Sequence, residues 1–572
     1  MPKTRLFTGA VVVAASMSLA SPAFAATGID TQPLRDAVTV SGIREHLAAL
    51  EAIAKGNVFE GVPTRATGTP GHVASVNYVV QKMTAAGYNV SLQQFEADIF
   101  FEQAPAVFAQ VAPNAITYPR YDGQTGVWYT ADFSGDGDVT AAAVVVDFTE
   151  PTTQASASSS GCEASDFGPE VVGKIVLLQR GTCDFGLKAQ NASAANAAGA
   201  VIFNEGTIGA PDRNDVLIPT LAGYNVTIPV VGTDYATGRS LVDLANGAGV
   251  TLRVKVDGFV NEGVLTNNVI AETPGGRSDR TVVVGAHLDS VYQGPGINDD
   301  GSGTATLLET AEQMTALGIT PRNKVRFIFF SGEEQGLLGS RAWVQKHKDE
   351  LAQYSACLVH DGGTNYLSGI AGMKEMRPQL EAVFAPILSL STEMPFKIRD
   401  SEAFTPIGSD HEAFTAAGVP GFFWDQAGRA IYSHTHHTQY DTYDAAIPEY
   451  QKHSSVVAAV GALGIANLPE LLTRENMKVN RGFGGGGGGG RRGGRMLGVQ
   501  MGDDGVTIAE VTADGIAAKA GLKAGDKLLK VGDKKIAAQE DLRPALAEGP
   551  LKNTLTFVRD GKEQTVTVTF ER

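Results

Sequence analysis

Histidine and carboxylate residues recur in this chain just after apolar runs. Val282–Ala286 leads into His287 and Asp289, and a Gly-rich turn then carries the adjacent Asp299 and Asp300. The next apolar run, KVRFIFF, ends in Ser331-Gly332-Glu333-Glu334, and SACLV ends in His360 and Asp361. Farther on, SHTHHTQYDTYD supplies His434, His436 and His437. Adjacent carboxylates repel, and buried ones are costly unless positive charge neutralises them. Imidazole and carboxylate without thiolate form a donor set for a borderline divalent cation, Zn2+ first, with Mn2+ or Co2+ as alternatives. The acids are too numerous for one tetrahedral zinc, whereas two metals sharing a bridging carboxylate would neutralise them.

For these residues to meet, the runs that carry them must be neighbouring strands. His287 and Asp289, two apart at a strand end, share a face. Parallel sheets place their ligands beyond the carboxyl ends of the strands. From Asn267 onward, strand patterns (NVIAETP, TVVVGAHL, KVRFIFFS, SACLVHD) alternate with helical ones over 303–317 and 336–347. That alternation predicts an α/β domain with a mostly parallel sheet and helices on both faces. Residues 26–120 read as the first part of the same domain, with an amphipathic helix closing at Gly87 and then an alternating strand. Residues 121–257 change texture, with short Val-rich runs between Gly turns. They are expected to form a β-rich insertion that splits the α/β domain into 26–120 and 258–470. Residues 471–495 contain GFGGGGGGGRRGGR and read as a flexible linker to a small β/α domain over 496–572.

The formal net charge of −16 over 572 residues argues against a nucleic-acid-binding protein. Lys3 and Arg5 precede the apolar run Leu6–Ala20, and Ala23-Phe24-Ala25 follows. This predicts a signal peptide over residues 1–25 and a secreted or periplasmic protein. No Cys follows the cleavage motif, so a lipoprotein is not expected, and no other run is long enough to span a membrane. Of the three cysteines, Cys162 and Cys183 are expected to pair, with Cys357 a buried free thiol in its strand.

HLDSV…GPGINDDGSG, FSGEEQGLLGS, the downstream Asp361, SDHEAF…GVP and HHTQYDT together resemble the co-catalytic zinc exopeptidases. That family includes secreted bacterial leucine aminopeptidases and yeast aminopeptidase Y. The resemblance implies two zinc ions: one held by His287 and Asp361, the other by Glu334 and His437, with Asp299 bridging. His437 is chosen from the three histidines because it opens the His-Thr-x-x-Asp-Thr pattern. Glu333 is implied as the general base and Asp289 as the residue orienting His287. His411 is expected to be structural, and Trp424 in GFFWDQ to wall a substrate pocket. The Asp299–Asp300 peptide bond is expected to be cis, as family members often have it.

The stretch Gly173–Gly206 resembles a protease-associated (PA) domain, and residues 496–572 resemble a PDZ domain of bacterial secreted proteases. In the latter, Leu497, Gly498 and Val499 would take a peptide or protein C-terminus. The expected activity is removal of N-terminal residues, apolar ones preferred, from peptides. One alternative is a carboxypeptidase or glutaminyl cyclase-like enzyme on the same scaffold. The cyclases use one zinc, and no basic group for a substrate carboxylate is evident. The other is a non-catalytic peptide-binding protein, against which the intact Glu333 and ligand set argue.

Overall fold

The computed structural model describes residues 29–479 except 60, 123–124, 155–156, 210–212 and 405–407. Beyond these it describes 497, 499–501, 506–511, 516–532, 534–536, 542, 545–546, 552–559 and 561–569. The proposed signal peptide, the Gly-rich run and Gly498 lie outside the described residues. The described residues divide into two compact units, one up to Val479 and one from Leu497.

In the first unit four strands run parallel, in the order Gly421–Phe423, Tyr354–Val359, Arg277–His287, Asn323–Phe330. Thr251–Glu272 closes this part of the sheet antiparallel to Asn323–Phe330. Register explains the convergence read from the sequence. His287 pairs with Phe330, so Ser331–Glu334 start level with it. Gly285 pairs with Val359, which brings Asp361 to the same edge.

The strand Arg277–His287 is apolar on both faces because both are covered. Val282, Val284 and Ala286 join the core with helices Val40–Gly56, Gly301–Ala316 and Pro448–Ala466. Val283 points the other way, toward Trp343 and Phe414 of helices Leu338–Lys346 and His411–Ala416. Helix Pro448–Ala466 is buried along nearly its whole length and lacks a polar face. Its Gly461 and Gly464 allow Phe384 and Val383 of the neighbouring helix Arg377–Leu388 to approach closely. Caps set the starts of these helices: Thr39 and Asp300 accept the N–H groups of Gly42 and Gly303 at 3.0 and 2.9 Å. The helix predicted to close at Gly87 spans Pro70–Ala85, and Gly87 sits at φ +85° just beyond it.

The insertion is continuous with this sheet. Asn89–Ala112 and Thr251–Glu272 form one long antiparallel ribbon. Its near half pairs Asn89–Ala97 with Val264–Glu272, and its far half pairs Val107–Ala112 with Thr251–Lys255. Thr251–Val256 also pairs with Gly137–Val146, which begins a parallel run through Ile175–Gln179, Gly199–Phe203 and Val230–Thr233. Helices Phe185–Ala194 and Tyr235–Asn246 pack beside these strands, so the insert is itself α/β. Cys162 and Cys183 form a disulfide, and Cys357 is free and buried.

The peptidase-like core extends beyond the expected boundary at residue 470. Leu472 is buried, Arg474 donates to the carbonyls of Leu351 and Tyr354, and Met477 packs on the core. Val479 bridges to Phe404, so residues 471–479 are part of the domain rather than linker. The Gly-rich run gives no sign that the residues just before it are packed, whereas the Leu472 and Thr473 N–H groups donate to Ser355 Oγ and Gln379 Oε1, side chains distant in sequence.

The second unit pairs Val499–Met501 with Ile508–Val511 and has a separate sheet of Lys534–Lys535, Lys527–Val531, Lys552–Arg559 and Lys562–Thr569. Leu497, Ile508, Leu528, Leu555 and Phe557 form its core. Leu497 is therefore a core side chain, and Val499 is in the strand beside it.

Among the described residues, no helix is long and apolar enough to cross a membrane. The disulfide fits a protein of an extracellular or periplasmic compartment.

Candidate metal centre

Asp299 is the centre of the site, and its two oxygens face different groups. Oδ1 lies 3.1 Å from His287 Nε2, which is itself 3.6 Å from Asp361 Oδ1. Oδ2 lies 3.8 Å from Nε2 of both His436 and His437. His437 Nε2 is 2.8 Å from Glu334 Oε2. Two clusters with metal-ligand spacing thus share one aspartate: His287, Asp299 and Asp361, and Asp299, His436 and His437. His434 stacks on Tyr440 instead, and His411 stacks on Phe423. Neither belongs to these clusters. Both His436 and His437 are near Asp299, and the Glu334 contact distinguishes His437.

Neighbouring groups hold this geometry. His287 Nδ1 lies 3.2 Å from the backbone carbonyl of Asp289, nearer than the Asp289 carboxylate at 3.6 Å. A proton on Nδ1 leaves the Nε2 lone pair free to bind a metal. The Asp289 carboxylate accepts the N–H of Glu333 at 3.3 Å, so Asp289 orients both the ring and the Glu333 backbone. The Asp299–Asp300 peptide bond is cis. Asp441 accepts Asn298 N–H, Asn298 Nδ2–H and Asp299 N–H at 2.7 to 2.9 Å. Beneath the loop, Arg65 is fully buried and donates to the carbonyls of Leu288, Pro295 and Gly296.

The electrostatics show a site crowded with negative charge. Burial, with Glu334 and Asp361 nearby, pushes Asp299 up to about 7 against the pull of His287. Burial would lower His287, but Asp361, Asp289 and Asp299 hold it well above its ordinary value. Burial also opposes protonation of His437, yet Glu334, Asp299 and Asp132 raise it to about 9. Glu333 is raised well above the carboxylate range by burial and by Asp361, Glu334 and Asp410, with His287 opposing. Glu334 Oε1 is buried without a hydrogen-bond partner. Carboxylates facing each other across imidazole nitrogens, with a spare buried oxygen, suit divalent cations.

The sequence reading missed Arg65, which lies in a Thr- and Gly-rich turn more than two hundred residues before the loop it holds. It also gave Asp441 no role, although Asp441 stands in the quoted His-Thr-x-x-Asp pattern. The pocket assignment of Trp424 is corrected. Its side chain is only 3% exposed and packs on Phe384 and Phe396 in the main core, so it does not face the cleft. An aromatic after a short strand has the same sequence pattern whether it lines a pocket or fills a core.

A parallel sheet whose strand ends bring two histidine–carboxylate groups onto one aspartate builds a candidate metal centre at the carboxyl edge of the sheet. Sequence comparison agrees: residues 268–461 match Peptidase family M28, residues 139–241 the PA domain and residues 496–570 the PDZ domain. A Pseudomonas aeruginosa protein named Aminopeptidase is 41% identical over 306 residues, covering 53% of this chain and 54% of its own length. A Mycobacterium tuberculosis protein named Probable lipoprotein aminopeptidase LpqL is 32% identical over 411 residues, 68% of this chain and 74% of that protein. Among solved structures, BSAP, a zinc aminopeptidase from Bacillus subtilis, aligns with a TM-score of 0.51 at 22% identity, covering 74% of this chain and 94% of that one. The chain belongs to peptidase family M28. It spans about half the length of the Pseudomonas relative.

Proposed function

We propose that this protein is a secreted or periplasmic zinc aminopeptidase that removes N-terminal residues from peptides. The observation that carries the reading is the placement of Asp299, with one oxygen beside His287 and the other beside His437. In this reading His287 and Asp361 would hold one zinc and Glu334 and His437 the other, with Asp299 shared between the two sites. Zinc held there would supply a more acidic water and a polarised scissile carbonyl. Glu333 takes a proton from the attacking water and delivers it to the leaving amine nitrogen. Burial and the neighbouring Asp361, Glu334 and Asp410 raise its pKa, which makes the carboxylate a stronger base than an exposed glutamate. Asp289 keeps the His287 ring oriented and positions the Glu333 backbone. The relatives named as aminopeptidases support the same activity.

The terminal PDZ-like unit, through the segment around Leu497, Gly498 and Val499, binds a peptide or protein C-terminus and raises local substrate concentration. The deciding experiment compares hydrolysis of aminoacyl and N-acetylated peptides by the full-length protein, with and without a chelator, alongside zinc content. Two zincs per chain and chelator-sensitive cleavage of free-amine peptides alone are expected. Equal cleavage of blocked peptides would overturn the aminopeptidase reading.

A further inference from the structure

The inserted domain reaches the metal centre. After the insert's strand Trp128–Thr130 comes Asp132, whose N–H donates to Pro219 O at 3.0 Å and whose carbonyl accepts Leu221 N–H at 2.9 Å. The loop held this way rests on the turn after Glu333 and Glu334. A Cβ on Gly336 would come within 2.8 Å of Ala222 Cβ, and Gly336 N–H donates to Glu333 O at 2.8 Å. Phe133 anchors the segment against Phe100, with 5.7 Å between ring centres. These contacts place the Asp132 loop against the turn that follows Glu333 and Glu334, with the Asp132 carboxyl within electrostatic reach of His437 and Glu334. Burial pushes it up to about 7, with His437 opposing and Glu334 adding to the shift.

The other carboxylates around the centre are committed. Asp299, Glu334 and Asp361 face the histidines, and Glu333 serves as the base that moves the proton. Asp289 accepts Glu333 N–H, Asp300 caps a helix, and Asp441 holds the Asn298–Asp299 backbone. Asp410 is fully buried, so a solute does not reach it. Arg120, the cation near Asp132, is engaged by both oxygens of Glu102 and stacks over Tyr129. Asp132 is half-buried, and its carboxylate makes no hydrogen bond or ion pair with another described residue.

An enzyme acting on the first residue of a peptide must hold a cation beside the scissile carbonyl, because an α-amine with a pKa of about 7.7–8.0 is largely protonated at neutral pH. Metals in the centre would repel that cation, so it needs a carboxylate not already neutralised by them. We propose that Asp132, contributed by the inserted domain, pairs with the cationic group of the substrate's first residue. That cation is either the α-ammonium or the side chain of a first-position Lys or Arg. The inference rests on the aminopeptidase reading above.

The test uses full-length protein carrying Asp132→Asn, which keeps side-chain size and both backbone bonds, with zinc content and melting checked. Cleavage of leucine and arginine p-nitroanilides is measured. Losing a charge-assisted contact is expected to lower kcat/KM about tenfold or more, mainly through KM. Equal loss on both substrates assigns the α-ammonium, and loss on the arginine substrate alone assigns the side chain. Asp132→Glu should recover part of the loss. Changes under about twofold on both substrates would overturn the proposal, since a single lost charge contact is worth more.

A second arm needs no turnover. In a Glu333→Gln background, calorimetry compares binding of leucinamide, argininamide and N-acetyl-leucinamide with and without Asp132→Asn. Weakened binding of leucinamide or argininamide, with the acetylated amide unchanged, supports the contact. Unchanged binding of all three overturns it. A wild-type protein that cleaves no aminoacyl substrate would refute the aminopeptidase reading, while this arm still decides the role of Asp132.

Discussion

Replacing Arg65 with Met tests how the metal loop is held. Met approximates the volume of the aliphatic stem but removes every donor. The guanidinium is fully buried, and its pKa falls only to about 10 because Asp289, Asp441, Asp300 and Glu334 offset part of the burial cost. It is therefore charged at neutral pH and donates to three carbonyls, those of Leu288, Pro295 and Gly296. Each carbonyl left unpaired in the interior costs about 1–3 kcal/mol, so Arg65→Met should destabilise by at least about 3 kcal/mol. Removing a buried cation that faces Asp289, Asp441, Asp300 and Glu334 adds to this. The loop between Asp289 and Asp299 should loosen, and zinc affinity should fall about 10–100-fold, as for other groups that orient ligands. Arg65→Lys keeps the charge but cannot serve three diverging acceptors, so it should recover only part of the loss. Urea unfolding followed by tryptophan fluorescence and zinc competition with a chelator measure the two effects. A variant within about 1 kcal/mol of wild type, with zinc affinity unchanged, would refute the argument.

Glu333→Gln should keep its metal complement while kcat falls at least about a hundredfold, read by zinc analysis beside aminopeptidase kinetics. Buried His72 donates to Ser331 Oγ at 2.8 Å, and burial holds its pKa near 4 against an ordinary 6.5. The unfolded chain binds the extra proton first, so this contribution is intact above pH 6.5 and is lost as pH falls to 4, by up to about 3 kcal/mol. His72→Gln should flatten that part of the acid-unfolding profile, and an unchanged slope would remove His72 as its source. Ending the chain after Val479 should leave cleavage of a small aminoacyl amide within about threefold, because every ligand and base candidate lies at or before His437. Ending it after Leu472 should instead destabilise the fold, since it removes Arg474, Met477 and the Val479 bridge; equal melting of the two truncations would refute that distinction.

The metal centre was readable because its donors follow strand ends and belong to a few residue types. His287, Glu333, Glu334 and Asp361 stand where apolar runs stop, sheet register brings those stops level, and Asp299 follows His287 in the loop after the same strand. Arg65 and Asp132 were not readable. Each acts through space, one beneath a loop far along the chain and the other across the seam with an inserted domain. Trp424 was misread because burial and pocket lining leave the same mark in sequence. The segment 471–479 was misread because its contacts are with residues far away in sequence: Leu472 and Thr473 N–H donate to Ser355 Oγ and Gln379 Oε1, and Arg474 donates to the Leu351 and Tyr354 carbonyls. What the one-dimensional pattern omits is proximity between residues that share no periodic element.

The long ribbon also bears on how the chain is assembled during synthesis. Asn89–Ala97 cannot pair until Val264–Glu272 has been made, so its edge waits unprotected while the intervening chain emerges. The insert's strands pair with sequence neighbours and can close first. Once Gly137 is paired with Val256, the gap left to close is several-fold shorter. Loop-closure entropy makes a fourfold shortening worth about 1.2 kcal/mol. The insert thus serves as a jig on which the ribbon is laid, and a flexible spacer of equal length in its place would leave two distant strands to find each other by diffusion.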